Sequence, residues 1–290
     1  MLRVGTANSS ACGRLVRDCR TMQDEGERSL EGGWQTDVRR AGDVVLRSPK
    51  VQSRTVIALL KHLESVGFDA APRPVGSGFA PDGRERLSYI EGESPHPGVW
   101  SEGAAWELGA MVGRLHHASS TFDPPPDAIW RPSFARDLPG NRPVIGHGDL
   151  GPWNVLARDG LPVAIIDWDY AGPVDAVWEL SQLVWLNAQL HDDDVATANG
   201  LPGPEERAGL AAAILDGYGL PGADREGFVD RLVEFAIRNA REEAVEYRVG
   251  HDTVSPAADG FPILWGIAWR TRSAAWVLDH RELIQAAIDA

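Results

Sequence analysis

The segment His147-Gly148-Asp149-Leu150-Gly151-Pro152-Trp153-Asn154, followed shortly by Asp167 and Asp169, holds the residues of this chain best suited to chemistry. A carboxylate accepts or orients the proton of an attacking hydroxyl. Further hard oxygen ligands hold Mg²⁺ against phosphate oxygens. Phosphoryl transfer asks the protein for these parts and for little covalent chemistry, and Asp149, Asn154 and Asp167 supply them. Magnesium keeps several waters and takes a few carboxylate or amide oxygens, so no thiolate is needed.

These groups need elements that hold them face to face. A short β insert does so, with strands expected around Val144-Ile145, Val155-Leu156 and residues 163–166, turned at Arg158-Asp159-Gly160. It places His147, Asp149 and Asn154 in one loop and Asp167 at the end of the next strand. Upstream, residues 30–92 read as a small antiparallel sheet carrying one helix. Strands are expected at 32–37, 38–40 and 44–47, and two more flank the turn Pro81-Asp82-Gly83, the second over 87–90. The helix is expected over 54–65, with Val56, Leu59, Leu60 and Leu63 on one face and Gly67 as its stop.

A Pro, Gly and Ser-rich stretch at 92–98 ends this region, and residues 93–290 read as mostly helical. Ser101 is expected to cap a helix reaching Ser119, with Ala104, Leu108, Met111, Val112 and Leu115 at helical spacing. Further helices are expected over 175–189, 205–218, 225–249 and 261–288. Residues 1–29 read as a disordered extension, and Met22 is an alternative translation start.

The formal charge of −14 argues against nucleic acid, whose phosphates demand a basic surface. No apolar run is long enough for a membrane span, and no signal peptide is evident, so a cytoplasmic location is expected. Cys12 and Cys19 have no other Cys and no His near them in sequence and imply neither a disulfide framework nor a metal site.

The block from His147 to Asn154, then Ile165-Ile166-Asp167-Trp168-Asp169, Gly172 and Glu179-Leu180, resembles the aminoglycoside phosphotransferase and choline-kinase-like family. That resemblance implies an α+β, bilobal protein-kinase-like fold, with a small β-rich N-terminal lobe and a larger, mainly helical C-terminal lobe. It implies Asp149 as catalytic base, Asn154 and Asp167 as Mg²⁺ ligands, His147 as a brace of the loop, and Asp169 as a further acidic candidate. Gly32, Gly33 and Thr36 resemble the loop over the nucleotide phosphates, with an ordinary hairpin turn as the alternative. Tyr89 and Glu91 fall in the strand and hinge that would meet the base of ATP or GTP, with a plain interlobe linker as the alternative. His116 matches a helix position where packing is expected.

Two departures stand out. The strand Val44-Val45-Leu46-Arg47 resembles V-A-I-K but ends in arginine, a planar fork in place of a compact ammonium. The glutamate that would pair with that cation is expected near Val56 or Ile57, and neither can supply it. Glu64 and Lys50 are the substitutes nearby, both read as solvated surface groups, and Arg47 itself is open to reading as an exposed strand arginine.

On the acceptor side, Asp192 to Asp194, Glu242, Glu243, Glu246 and Asp279 would favour an amine-bearing molecule, although solvated faces are the better expectation. Trp185, Trp265, Trp269 and Trp276 are expected in the core more than around a ligand, and Arg270 and Arg272 would suit an anionic group. The expected activity is Mg²⁺-dependent transfer of a γ-phosphoryl group to a hydroxyl of an aminoglycoside or other small molecule. A peptide Ser/Thr kinase and a catalytically silent immunity protein are the alternatives.

Overall fold

Short segments punctuated by turn residues build an antiparallel sheet at the N-terminal end of the described chain. The computed structural model describes residues 26–30, 38–254 and 262–290. Gly32, Gly33 and Thr36, the strand expected over 32–37, both cysteines and Met22 lie outside the described residues. The sheet comprises β1 (Glu27–Ser29), β2 (Val38–Ala41), β3 (Val44–Arg47), β4 (Pro74–Phe79) and β5 (Glu85–Ser88), in the order β1-β2-β3-β5-β4. Strand β1 pairs with β2, so the sheet begins before residue 30, inside the expected extension. Strand β5 starts two residues earlier than expected, because the turn closes tightly from Ala80 to Arg84. Helix α1 (Ser53–Ser65) buries Val56, Leu59, Leu60 and Leu63, the apolar stripe expected from their spacing.

Beyond the linker, helix α2 (Glu102–Ser119) is capped by Ser101, whose side chain accepts from the Ala104 N–H. Two small antiparallel pairs follow. Strands β6 (Pro143–Gly146) and β9 (Gly172–Asp175) form one, and β7 (Val155–Arg158) and β8 (Leu161–Ile165) the other. Strand β9 was not expected, since Gly172 and Pro173 mask its strand character. Helix α3 (Ala176–Asn187) is buried along its whole length, as an element packed on all sides must be.

The remaining helices are α4 (Asp193–Asn199), α5 (Pro204–Tyr218), α6 (Gly222–Arg225), α7 (Phe228–Glu246), α8 (Ile263–Asp279) and α9 (Arg281–Asp289). The single helix expected over 261–288 is thus two, broken at His280. The fold is α+β, with a small β-rich lobe and a larger, mostly helical one. No helix among the described residues is long and apolar enough to cross a membrane.

Candidate active site

The loop after β6 enters through Gly146, where a Cβ would run into the Glu179 carboxylate, and Gly148, whose φ of +79° suits glycine. His147 is fully buried between them, with its ring edge-on to Trp168 at 4.8 Å. Its Nδ1 accepts from the Asp149 N–H at 3.3 Å, which leaves Nε2–H to donate to the Ile166 carbonyl at 2.9 Å. His147 therefore ties the loop to the strand that delivers Asp167.

Helix α3 holds the same loop from the other side. Glu179 accepts from the Gly148 N–H at 2.6 Å, Gln182 accepts from the Leu150 N–H at 3.0 Å, and Asn187 donates to the Leu150 carbonyl at 2.8 Å. His116 of α2 meets the Glu179 carboxylate at 2.5 Å, and Tyr218 of α5 meets the other ring nitrogen at 2.9 Å. Burial works to raise the Glu179 carboxyl, yet His116 and the Gly148 N–H hold it below its usual range.

Asp149 and Asn154 face each other across the loop. The Asn154 amide nitrogen donates to the Asp149 carboxylate at 2.8 Å and to its carbonyl at 2.9 Å. Both amide hydrogens are thereby engaged, and the Asn154 side-chain oxygen is left as the donor atom for a cation. Burial pushes the Asp149 carboxyl above its usual range, the Asp167 charge adds to that, and His147 opposes it. Asp167 follows β8 and adopts φ 61°, ψ 66°, a left-handed conformation uncommon outside glycine. About half of its side chain is open to solvent.

The strand cation does not lie on the surface. Arg47 is 9% exposed, and each of three nitrogens has its own carboxylate. Nε bonds Glu85, Nη1 donates to Asp167 at 3.0 Å, and Nη2 donates to Asp169 at 2.5 Å. Glu85 stands directly opposite Arg47 in the β3–β5 register and also accepts from the Ser53 hydroxyl. The missing helix glutamate is thus replaced by a strand glutamate. Sequence reasoning passed over it, although an Arg and a Glu at the facing ends of two paired strands are a readable signal.

Lys50 likewise corrects the surface expectation, since its ammonium bonds the second Asp169 oxygen. Glu64 stays outside, half-exposed near Arg73. Burial works to raise the Asp169 carboxyl, but Arg47 and Lys50 hold it below its usual range. With both oxygens on cations, Asp169 holds bases in place and is not a free metal donor.

Asn154 and Asp167 fit a divalent cation by donor type, one amide oxygen and one half-exposed carboxylate, both hard ligands. Tyr89 and Glu91 line a cavity along the interlobe linker with Gly92, Trp100, Arg158 and Asp159. Their backbones are partly engaged, the Tyr89 N–H by Asp43 and the Glu91 carbonyl by Arg158.

The acceptor-side groups are mostly paired within the protein. Glu243 bonds Arg270 at 2.7 Å, Glu246 bonds Arg131 at 3.1 Å, and Glu242 accepts from the Phe134 N–H at 2.8 Å. Burial raises the Glu243 carboxyl, and Arg270 opposes it. Asp192 and Asp194 hold Arg272 at 2.6 Å and 2.5 Å. Trp185 and Trp276 are core residues and Trp269 stacks on Trp185, whereas Trp265 is about half exposed.

Known proteins share this arrangement of elements. The solved amicoumacin kinase, in complex with AMP-PNP and Ca²⁺, superposes with a TM-score of 0.61 at 16% identity, covering 91% of this chain and 89% of that one. A choline/ethanolamine kinase family protein from Mesorhizobium loti gives 0.59 at 16% identity, covering 94% and 95%. These likenesses establish the bilobal, protein-kinase-like fold. The model of the phosphotransferase enzyme family matches residues 129–228. A trifolitoxin immunity protein from Rhizobium leguminosarum bv. trifolii is 51% identical over 259 residues, 89% of this chain and 97% of that protein. The chain, with its H-G-D loop and neighbouring I-D strand, belongs to the phosphotransferase enzyme family.

Proposed function

We propose that this protein transfers the γ-phosphoryl group of ATP or GTP to a hydroxyl of a small antibacterial molecule, and so disarms it. The balance is NTP + R–OH giving NDP + R–O–phosphate and a proton. One observation carries the proposal: Asp149 and Asn154 share one loop, tied by the His147 side chain to Ile166, the residue between β8 and Asp167. Asp149 orients the acceptor hydroxyl and takes its proton as the new P–O bond forms and the bond to the leaving diphosphate breaks. Asn154 and Asp167 are the residues that would hold Mg²⁺, and the ion would supply positive charge to the phosphates. The antibacterial class of acceptor rests on the trifolitoxin immunity protein, whose name ties that relative to a toxin.

A second possibility, immunity by binding without chemistry, is favoured by one feature. Arg47 bonds Asp167, the carboxylate that a metal would need. Thermal unfolding with ATP or GTP, with and without Mg²⁺, separates the two when read beside NDP release, because a ligand of the folded state raises its stability. Phosphotransfer requires a Mg²⁺-dependent rise in melting temperature and NDP release that Asp149→Asn abolishes. A flat response to nucleotide would leave only silent binding.

A further inference from the structure

Of the 28 basic residues in the chain, only Lys50 and Lys61 are lysines, and one of them sits at the acidic centre of the site. Lys50 follows β3 in the turn before α1. Its backbone is fixed there, because the Lys50 N–H donates to the Ser53 hydroxyl at 2.7 Å. The Gln52 amide beside it donates to the Asp169 carbonyl at 3.2 Å. The Lys50 side chain is the more accessible of the two cations, about a third exposed, whereas that of Arg47 is a tenth exposed.

The two cations differ in what their departure would cost. Moving Arg47 toward a phosphate would leave Glu85 buried with only the Ser53 hydroxyl, and an uncompensated buried charge is expensive. Moving Lys50 leaves Asp169 still held by Arg47 on its other oxygen. An ammonium with three rotatable donors on a flexible stem suits such a transfer, and a forked guanidinium locked to three carboxylates does not.

We infer that Lys50, not Arg47, is the cation that grips the phosphate chain of the nucleotide, while Arg47 and Glu85 form a fixed brace behind Asp167 and Asp169. Lys50 exchanges Asp169 for a phosphate oxygen when the nucleotide enters, and returns when it leaves. The inference rests on the nucleotide-dependent function proposed above and assigns its phosphate-binding residue.

An acyl-phosphate derivative of ATP tests this directly. A lysine amine beside the phosphates attacks the acyl carbon, forms an amide and releases ATP. Peptide mass spectrometry of the full-length protein then compares two sites only. Lys50 should be acylated and protected by excess Mg·ATP. Lys61, on the outside of α1 and donating to the Ser77 carbonyl, should be neither. Equal labelling of both, or Lys50 labelling indifferent to Mg·ATP, overturns the inference.

Lys50→Met should weaken Mg·ATP binding about tenfold, the scale of one hydrogen bond between charged groups. Lys50→Arg should restore part of that, and Lys61→Met should change nothing. A wild-type nucleotide affinity in Lys50→Met overturns the role of Lys50 and leaves phosphotransfer standing. A wild-type protein that no nucleotide stabilises removes the basis of both.

Discussion

Arg47 and Glu85 face each other across two paired strands of one sheet, and their side chains close an ion pair inside it. A brace built this way is set by strand register and does not depend on the placement of a helix. Asp167 and Asp169, on the other lobe, complete the coordination of Arg47 and so join the two lobes through a single guanidinium.

Arg47→Met removes that guanidinium and leaves Glu85 buried and Asp169 with Lys50 alone. Breaking a buried pair by deleting one partner costs about 3–5 kcal/mol. Chemical denaturation should report a loss of that size, and Glu85→Gln a smaller one. A stability change within error for Arg47→Met would mean that the cluster is solvated and loose.

Asp149 to Asn should separate activity from stability. Turnover should fall by about 10²–10⁴, the usual contribution of a positioned acid or base. The fold should hold or gain, because a carboxyl raised above its unfolded pKa stabilises only below the unfolded value. That contribution is lost as pH rises through the folded pKa. A melting temperature well below wild type would assign Asp149 a structural role instead.

The pH profile of turnover follows from the same shift. Asp149 must be ionised to take a proton, so activity should fall with acid through an apparent pKa above the ordinary aspartate value, and Asp149→Glu should move that limb. Stability should respond in the opposite sense at Asp169 and Glu179. Both are depressed, so their stabilisation is present above the unfolded pKa and is lost only as pH falls through the lower folded values. An acid limb unaffected by Asp149→Glu would point to another group.

Glu179→Gln should lower kcat more than nucleotide affinity. The carboxylate anchors Gly148, next to Asp149, and is itself anchored by His116, and none of the three lines the linker cavity. Rates and nucleotide titrations on the same preparation check this. An equal loss in both would indicate general unfolding.

Much of the site was legible because it is local. His147, Asp149 and Asn154 lie within eight residues, and Asp167 follows within one hairpin, just past β8. The Ser101 cap and the stripe of α1 were legible for the same reason, as each depends on neighbours a turn away. Glu85 was missed because its link to Arg47 spans 38 residues and exists only once β3 and β5 are in register. Lys50 was misjudged because exposure was inferred from its residue type, whereas Asp169 from the other lobe supplies its partner. Strand β9 escaped notice because its pairing with β6, not its Gly-Pro sequence, makes it a strand. The break at His280 interrupts no apolar period, so only tertiary packing reveals it.

The most direct measurement is the mass of small antibacterial toxins, screened as acceptors, recovered after incubation with the protein and Mg·ATP, alongside the survival of sensitive cells expressing it. Phosphotransfer at Asp149 predicts a toxin heavier by one HPO₃ with the wild-type chain, an unmodified toxin with Asp149→Asn, and protection lost in step. Cells protected equally by both chains, with the toxin unchanged in mass, would contradict it.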